Sequence, residues 1–133
     1  MFSGKPVPQA FEPTEFLRVA YALATEDADE AALRTAVGRA YYALFLIARD
    51  KLGVVTTEKV HGEVIGILNR RNRTRIANQL SSLLNLRLAA DYQLVPEREY
   101  ERDWRSNWVR AKQIVEYLRP ELEKMPSVLD RTR

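Results

Sequence analysis

The stretch Ala40-Tyr41-Tyr42-Ala43-Leu44-Phe45-Leu46-Ile47-Ala48 decides the fold. It shows none of the in–out alternation of a half-buried strand, and read as a helix it is apolar all round. A helix of that kind is surrounded by other helices or lies at a subunit contact. Extended outward to the nearest punctuation, the pattern predicts a helix over about 28–52, roughly 37 Å long at 1.5 Å per residue. Asp27 followed by Glu30 resembles an N-cap with its reciprocal acid. Gly53 is well placed to end the helix. The apolar run itself is far too short to span a bilayer.

Weaker helical patterns flank this centre. A first helix is expected from Pro13, with Phe16, Val19, Ala20 and Leu23 as its stripe. Thr56 or Thr57 can cap a third, with Val60, Val64, Ile67 and Leu68 facing inward. Arg70-Arg71-Asn72-Arg73 reads as a turn. A fourth helix follows from about Thr74 to Asp91, with Ile76, Leu80, Leu83 and Leu84 as its stripe. Pro96 and the acids around it separate a last helix. There Trp104, Trp108, Ala111, Val115, Leu118 and Leu122 recur at helical spacing, and Pro120 is expected to kink or end it. The expectation is an all-α, up-and-down bundle of about five helices around a long second one. It occupies 13–125, with tails at 1–12 and 126–133.

Composition narrows the chemistry. The chain has 133 residues, 46% hydrophobic and 29% charged, which fits one globular domain rather than a disordered chain. There is no cysteine and one histidine. Disulfides are therefore excluded, and a standard zinc site is not expected. No Gly-rich phosphate loop, catalytic triad or carboxylate cluster is visible, and no cofactor is expected. The N-terminus has no signal-peptide pattern, so a soluble, cytoplasmic protein is expected.

Net charge is only +3, but it is unevenly spread. Residues 12–30 hold six acids and one arginine, whereas residues 59–87 hold six Lys or Arg and one glutamate. One end of the chain is acidic and the other basic, and the basic end can meet phosphate or simply face water.

Within that basic region, helical steps along the fourth stripe reach Arg87 and then Asp91. Two readings stand: an ion pair that fixes helix packing, or an arginine held ready to grip a phosphate with parallel hydrogen bonds. His61, at the edge of the third helix's apolar face, is either a packing residue or the one side chain that titrates near neutrality. Arg70, Arg71, Arg73 and Arg75 form a basic turn, either a solvated loop or a nucleic-acid contact. Tyr41, Tyr42 and Phe45 are read as core residues.

Three segments carry a family resemblance. Arg34-Thr35-Ala36-Val37-Gly38-Arg39-Ala40-Tyr41-Tyr42-Ala43-Leu44-Phe45 is similar to the central-helix signature of HEPN proteins, with glycine at position 38 where serine is usual. Val60-His61-Gly62-Glu63-Val64 resembles the opening of the family's third helix. Leu83-Leu84-Asn85-Leu86-Arg87-Leu88-Ala89-Ala90-Asp91-Tyr92 resembles its L-x-x-L-R-x-x-A-D-Y segment. The resemblance implies a helical bundle that dimerises and a minimal nucleotidyltransferase as partner, in a toxin–antitoxin arrangement. Arg39 and Asp91 are candidates for structural or phosphate-positioning roles.

Many HEPN proteins are metal-independent ribonucleases that use an arginine followed a few residues later by a histidine. Arg87 matches that arginine, but Tyr92, Gln93 and Leu94 stand where the histidine belongs. Catalytic candidates are then Arg87, Tyr92 and His61. The implied role is mainly binding of RNA, nucleotide or a partner protein. The alternatives are a metal-independent endoribonuclease toxin and a purely structural interaction module.

Overall fold

The computed structural model describes residues 10–95 and 103–128. Among them are five helices and no strand: α1 Thr14–Leu23, α2 Glu30–Leu52, α3 Val60–Arg70, α4 Thr74–Tyr92 and α5 Trp104–Lys124. The all-α bundle expected from the sequence is what the chain adopts. The Pro96 break lies outside the described residues, as do 1–9 and 129–133 of the two expected tails.

Helix ends show which local chemistry prevails. Asp29, not Asp27, caps α2, accepting a hydrogen bond from Ala32 N at 2.9 Å. The Ala28 N–H bonds back to Thr25 O, which holds 25–28 in a turn and delays the helix. Gly53 ends α2 at φ 68°, and its N–H donates to the Arg49 and Asp50 carbonyls. The left-handed conformation is one that glycine adopts without strain.

Neither Thr56 nor Thr57 caps α3. The Thr56 hydroxyl accepts from Glu58 N at 3.3 Å, so it closes a turn ahead of the helix. The α3 N-cap is Lys59, at φ 52° and without a side-chain cap. Asp103 caps α5 through Ser106 N and Oγ.

Pro120 does not end α5, which runs on to Lys124. Proline removes the bond to the Glu116 carbonyl. Both Pro120 and Glu116 lie on the exposed side of the helix, where water can take that carbonyl.

α2 packs against all four other helices, which explains its apolar circumference. Tyr41, Leu44, Leu68, Leu80, Leu83, Leu118 and Leu122 are the largest fully buried side chains, each contributing on the order of 1.5–3 kcal/mol by leaving water. Trp104 and Trp108 are also buried, at 4% and 3% exposure. The apolar middle of α2, expected to be surrounded by other helices or to lie at a subunit contact, is thus covered inside a single copy, and so is the tryptophan stripe.

Bonds at helix ends set directions. Arg34, near the start of α2, donates to the Ala89 and Ala90 carbonyls at the end of α4, so these two helices are antiparallel. Arg105, at the start of α5, reaches Thr25 O just ahead of α2. At the other end Lys51 Nζ donates to the Glu123 and Met125 carbonyls, so α5 runs with α2. α3 and α4 form a hairpin that brings the start of α3 beside the far half of α4. Among the described residues, no helix is long and apolar enough to cross a membrane.

Candidate functional site

Two arginines converge on one tyrosine where α2, α3 and α4 meet. Arg87 continues the α4 row that buries Leu80 and Leu83, so its guanidinium points toward α2 and is only 15% exposed. Its Nε lies 2.9 Å from Asp91 Oδ2, one turn further on. The N–H is poorly aligned with that oxygen, and the buried Nε makes no hydrogen bond. The contact is therefore an ion pair and not an aligned charge-assisted bond. Arg87 Nη2 donates to the Tyr42 hydroxyl at 3.0 Å. The guanidinium carbon is 5.0 Å from the Tyr42 ring centre.

Arg39 on α2 lies 5.1 Å from the same ring and 5.0 Å from that of Phe16. Each contact is within the range of a cation–π attraction. No carboxylate pairs with Arg39 among the described residues. Two guanidiniums thus share one tyrosine, and the one carboxylate beside them, Asp91, pairs with Arg87, leaving an excess of positive charge.

His61, at the start of α3, joins the same cluster. Its ring packs 4.4 Å from that of Phe45, and its Nδ1 is 2.6 Å from the hydroxyl of buried Tyr41. Burial pushes the Tyr41 phenol well above its ordinary range, against an opposing pull from Arg87, so it keeps its proton. That O–H is buried, and His61 Nδ1 is the acceptor at hand. If Nδ1 carried the hydrogen instead, the phenol proton would be left without an acceptor, at a cost of about 1–3 kcal/mol. Tyr41 therefore donates to Nδ1, and Nε2 carries the imidazole hydrogen. Burial, and then the charge of Arg87, lower the His61 pKa. The imidazole stays neutral, with its lone pair occupied.

The sequence candidates separate into three groups. Arg39, His61, Arg87 and Asp91 come together. Tyr92 is 71% exposed at the end of α4 and makes no hydrogen bond or ring contact with them. The basic turn splits: Arg70 approaches Glu63 at 4.0 Å, Arg75 lies 4.4 Å from the Tyr117 ring on α5, and Arg71 and Arg73 are exposed. Arg75 and Arg87 are twelve residues apart on α4, or roughly 18 Å.

Tyr41 and Tyr42 do more than pack the core. Tyr41 is core, but its hydroxyl fixes the histidine; Tyr42 is half-buried and holds Arg87. The signal lay in the three-residue step from Arg39 to Tyr42, which puts cation and ring on one face. Among the described residues, no three His, Asp or Glu side chains are grouped to hold a metal.

Comparison with family models, curated proteins and solved structures finds no match for this chain.

Proposed function

We propose that the chain is a HEPN-like domain of a cytoplasmic, nucleotidyltransferase-paired toxin–antitoxin system, acting mainly by binding an RNA or nucleotide phosphate. The observation that carries the reading is the pair Arg39 and Arg87 on Tyr42, with only Asp91 to offset them. A phosphate oxygen would find unused guanidinium N–H groups there, in a partly dehydrated site where such bonds are strong. His61 in its Nε2–H form would add a neutral donor.

The same geometry favours binding over cleavage. Metal-independent RNA cleavage needs a base for the 2′-hydroxyl proton. The His61 lone pair already accepts from Tyr41, and arginine holds its proton at neutral pH. The minimal nucleotidyltransferase partner and the homodimer rest on the sequence resemblance. The dimer would need a surface other than the α2 centre and the tryptophans, such as the exposed Leu88 and Tyr92 on α4.

The test incubates purified protein with labelled mixed-sequence RNA in the presence of a chelator, following retention and chain length together. The expected result is retention of intact RNA, lost in Arg39→Ala/Arg87→Ala. Cleavage that survives chelation and disappears in both Arg87→Ala and His61→Ala would replace this reading with the endoribonuclease.

A further inference from the structure

A second polar surface lies away from this cluster. Between α4 and α5 runs a groove whose described lining includes two arginines and no carboxylate. On α4 it is lined by Arg75, Gln79 and Ser82, and then Leu86 and Ala89, the row that successive turns place on one face. Across it, α5 contributes Asn107, Arg110 and Gln113. Its two depressions, about 340 and 300 Å³, share Ser82 and Arg110 and so adjoin along the groove. Neither Arg75 nor Arg110 has a carboxylate partner among the described residues. Leu86 and Arg87 are about 100° apart around α4, so the groove faces α5 while Arg87 faces α2.

In a chain with 18 acidic residues, a groove with two arginines and no carboxylate among its described lining residues is suited to a polyanion. Its amides and hydroxyl offer donors and acceptors to base edges and ribose hydroxyls. A crease between two packed helices can follow one sugar–phosphate backbone, and a single strand bares its bases and sugars to the flanking amides. The exposed Arg71 and Arg73 lie in the turn next to the groove's Arg75 end and extend the positive track.

We infer that the α4–α5 groove binds the backbone of single-stranded RNA, with Arg75 and Arg110 on successive phosphates and Gln79 and Gln113 on the sugars or bases between them. The choice of RNA rests on the function proposed above; the groove itself is independent of the Arg87 cluster.

The test is fluorescence anisotropy with an end-labelled RNA of about a dozen nucleotides and mixed sequence, across a salt series, with helicity checked by circular dichroism. Arg75→Ala/Arg110→Ala is expected to reduce the salt slope by about 1.4, corresponding to two phosphate contacts on a single strand. Gln113→Glu places a carboxylate in the groove at an exposed position and is expected to weaken binding roughly tenfold. It also serves where Arg75→Ala disturbs the Tyr117 stack. Unchanged affinity in both groove variants, absence of binding by the unaltered chain, or tighter binding of a duplex overturns the inference. Loss in Arg39→Ala/Arg87→Ala alone defeats the groove and leaves the cluster reading standing. Loss in the groove variants alone does the reverse.

Discussion

The hydroxyl of Tyr41 and Nδ1 of His61 are 2.6 Å apart, joining the buried centre of α2 to the first turn of α3. The bond fixes which imidazole nitrogen carries hydrogen and occupies the lone pair that a general base would need. It also ties the only histidine of the chain to the fold.

A pH dependence follows. The folded-state pKa of His61 is below its ordinary value, because burial and Arg87 disfavour the charged ring. The unfolded chain therefore takes up the proton first as pH falls. The His61 contribution is fully present above about pH 6.5 and declines below it, until the folded state is protonated too. Thermal unfolding at pH 7.5 and 5.5 should show a fall in Tm that is smaller in His61→Gln. An equal fall in the two proteins would place that dependence elsewhere.

Arg34 should matter to stability beyond its charge. It pairs with Glu30, donates to two carbonyls at the end of α4, and lies 4.7 Å from the Trp104 ring. Arg34→Ala should cost about 1.5–3 kcal/mol in denaturant unfolding. Arg34→Lys should recover little, because an ammonium cannot make the same fork. Near-complete recovery by lysine would reduce the role of Arg34 to charge alone.

Gly38 is the position where the resembling signature has serine. A Cβ built there meets only Asp91 Oδ1, at 4.0 Å, an ordinary contact. Gly38→Ala should therefore stabilise the protein by about 0.5–1 kcal/mol, the usual helix-interior gain. Gly38→Ser should fold equally well. Destabilisation by alanine would mean that α2 and α4 approach more closely than this geometry allows.

The fold was legible because its signals are collective. The all-apolar centre of α2 and the tryptophan stripe of α5 repeat over several turns, and packing leaves them one arrangement. Single-residue signals were less decisive. Asp27, Thr56, Thr57 and Pro120 each had suitable chemistry, yet a neighbouring turn or an exposed helix face overrode them. For the site, the Arg87–Asp91 spacing was readable because both lie on one helix. The Tyr41–His61 and Tyr42–Arg87 bonds join residues 20 and 45 positions apart, and no helical period reports on those. Tyr92, placed by its spacing from Arg87, instead faces solvent.

The lone histidine gives the most direct test of the central claim, that a phosphate seats on the Arg39–Arg87–His61 cluster. Proton–nitrogen NMR of the imidazole reports the tautomer and its surroundings without interference from a second ring. At neutral pH the account predicts an Nε2–H imidazole with Nδ1 unprotonated. Its signals should shift on addition of a short 5′-phosphorylated RNA and stay unshifted in Arg87→Ala. An Nδ1–H tautomer, or an imidazole indifferent to the RNA while the RNA binds, would contradict the account.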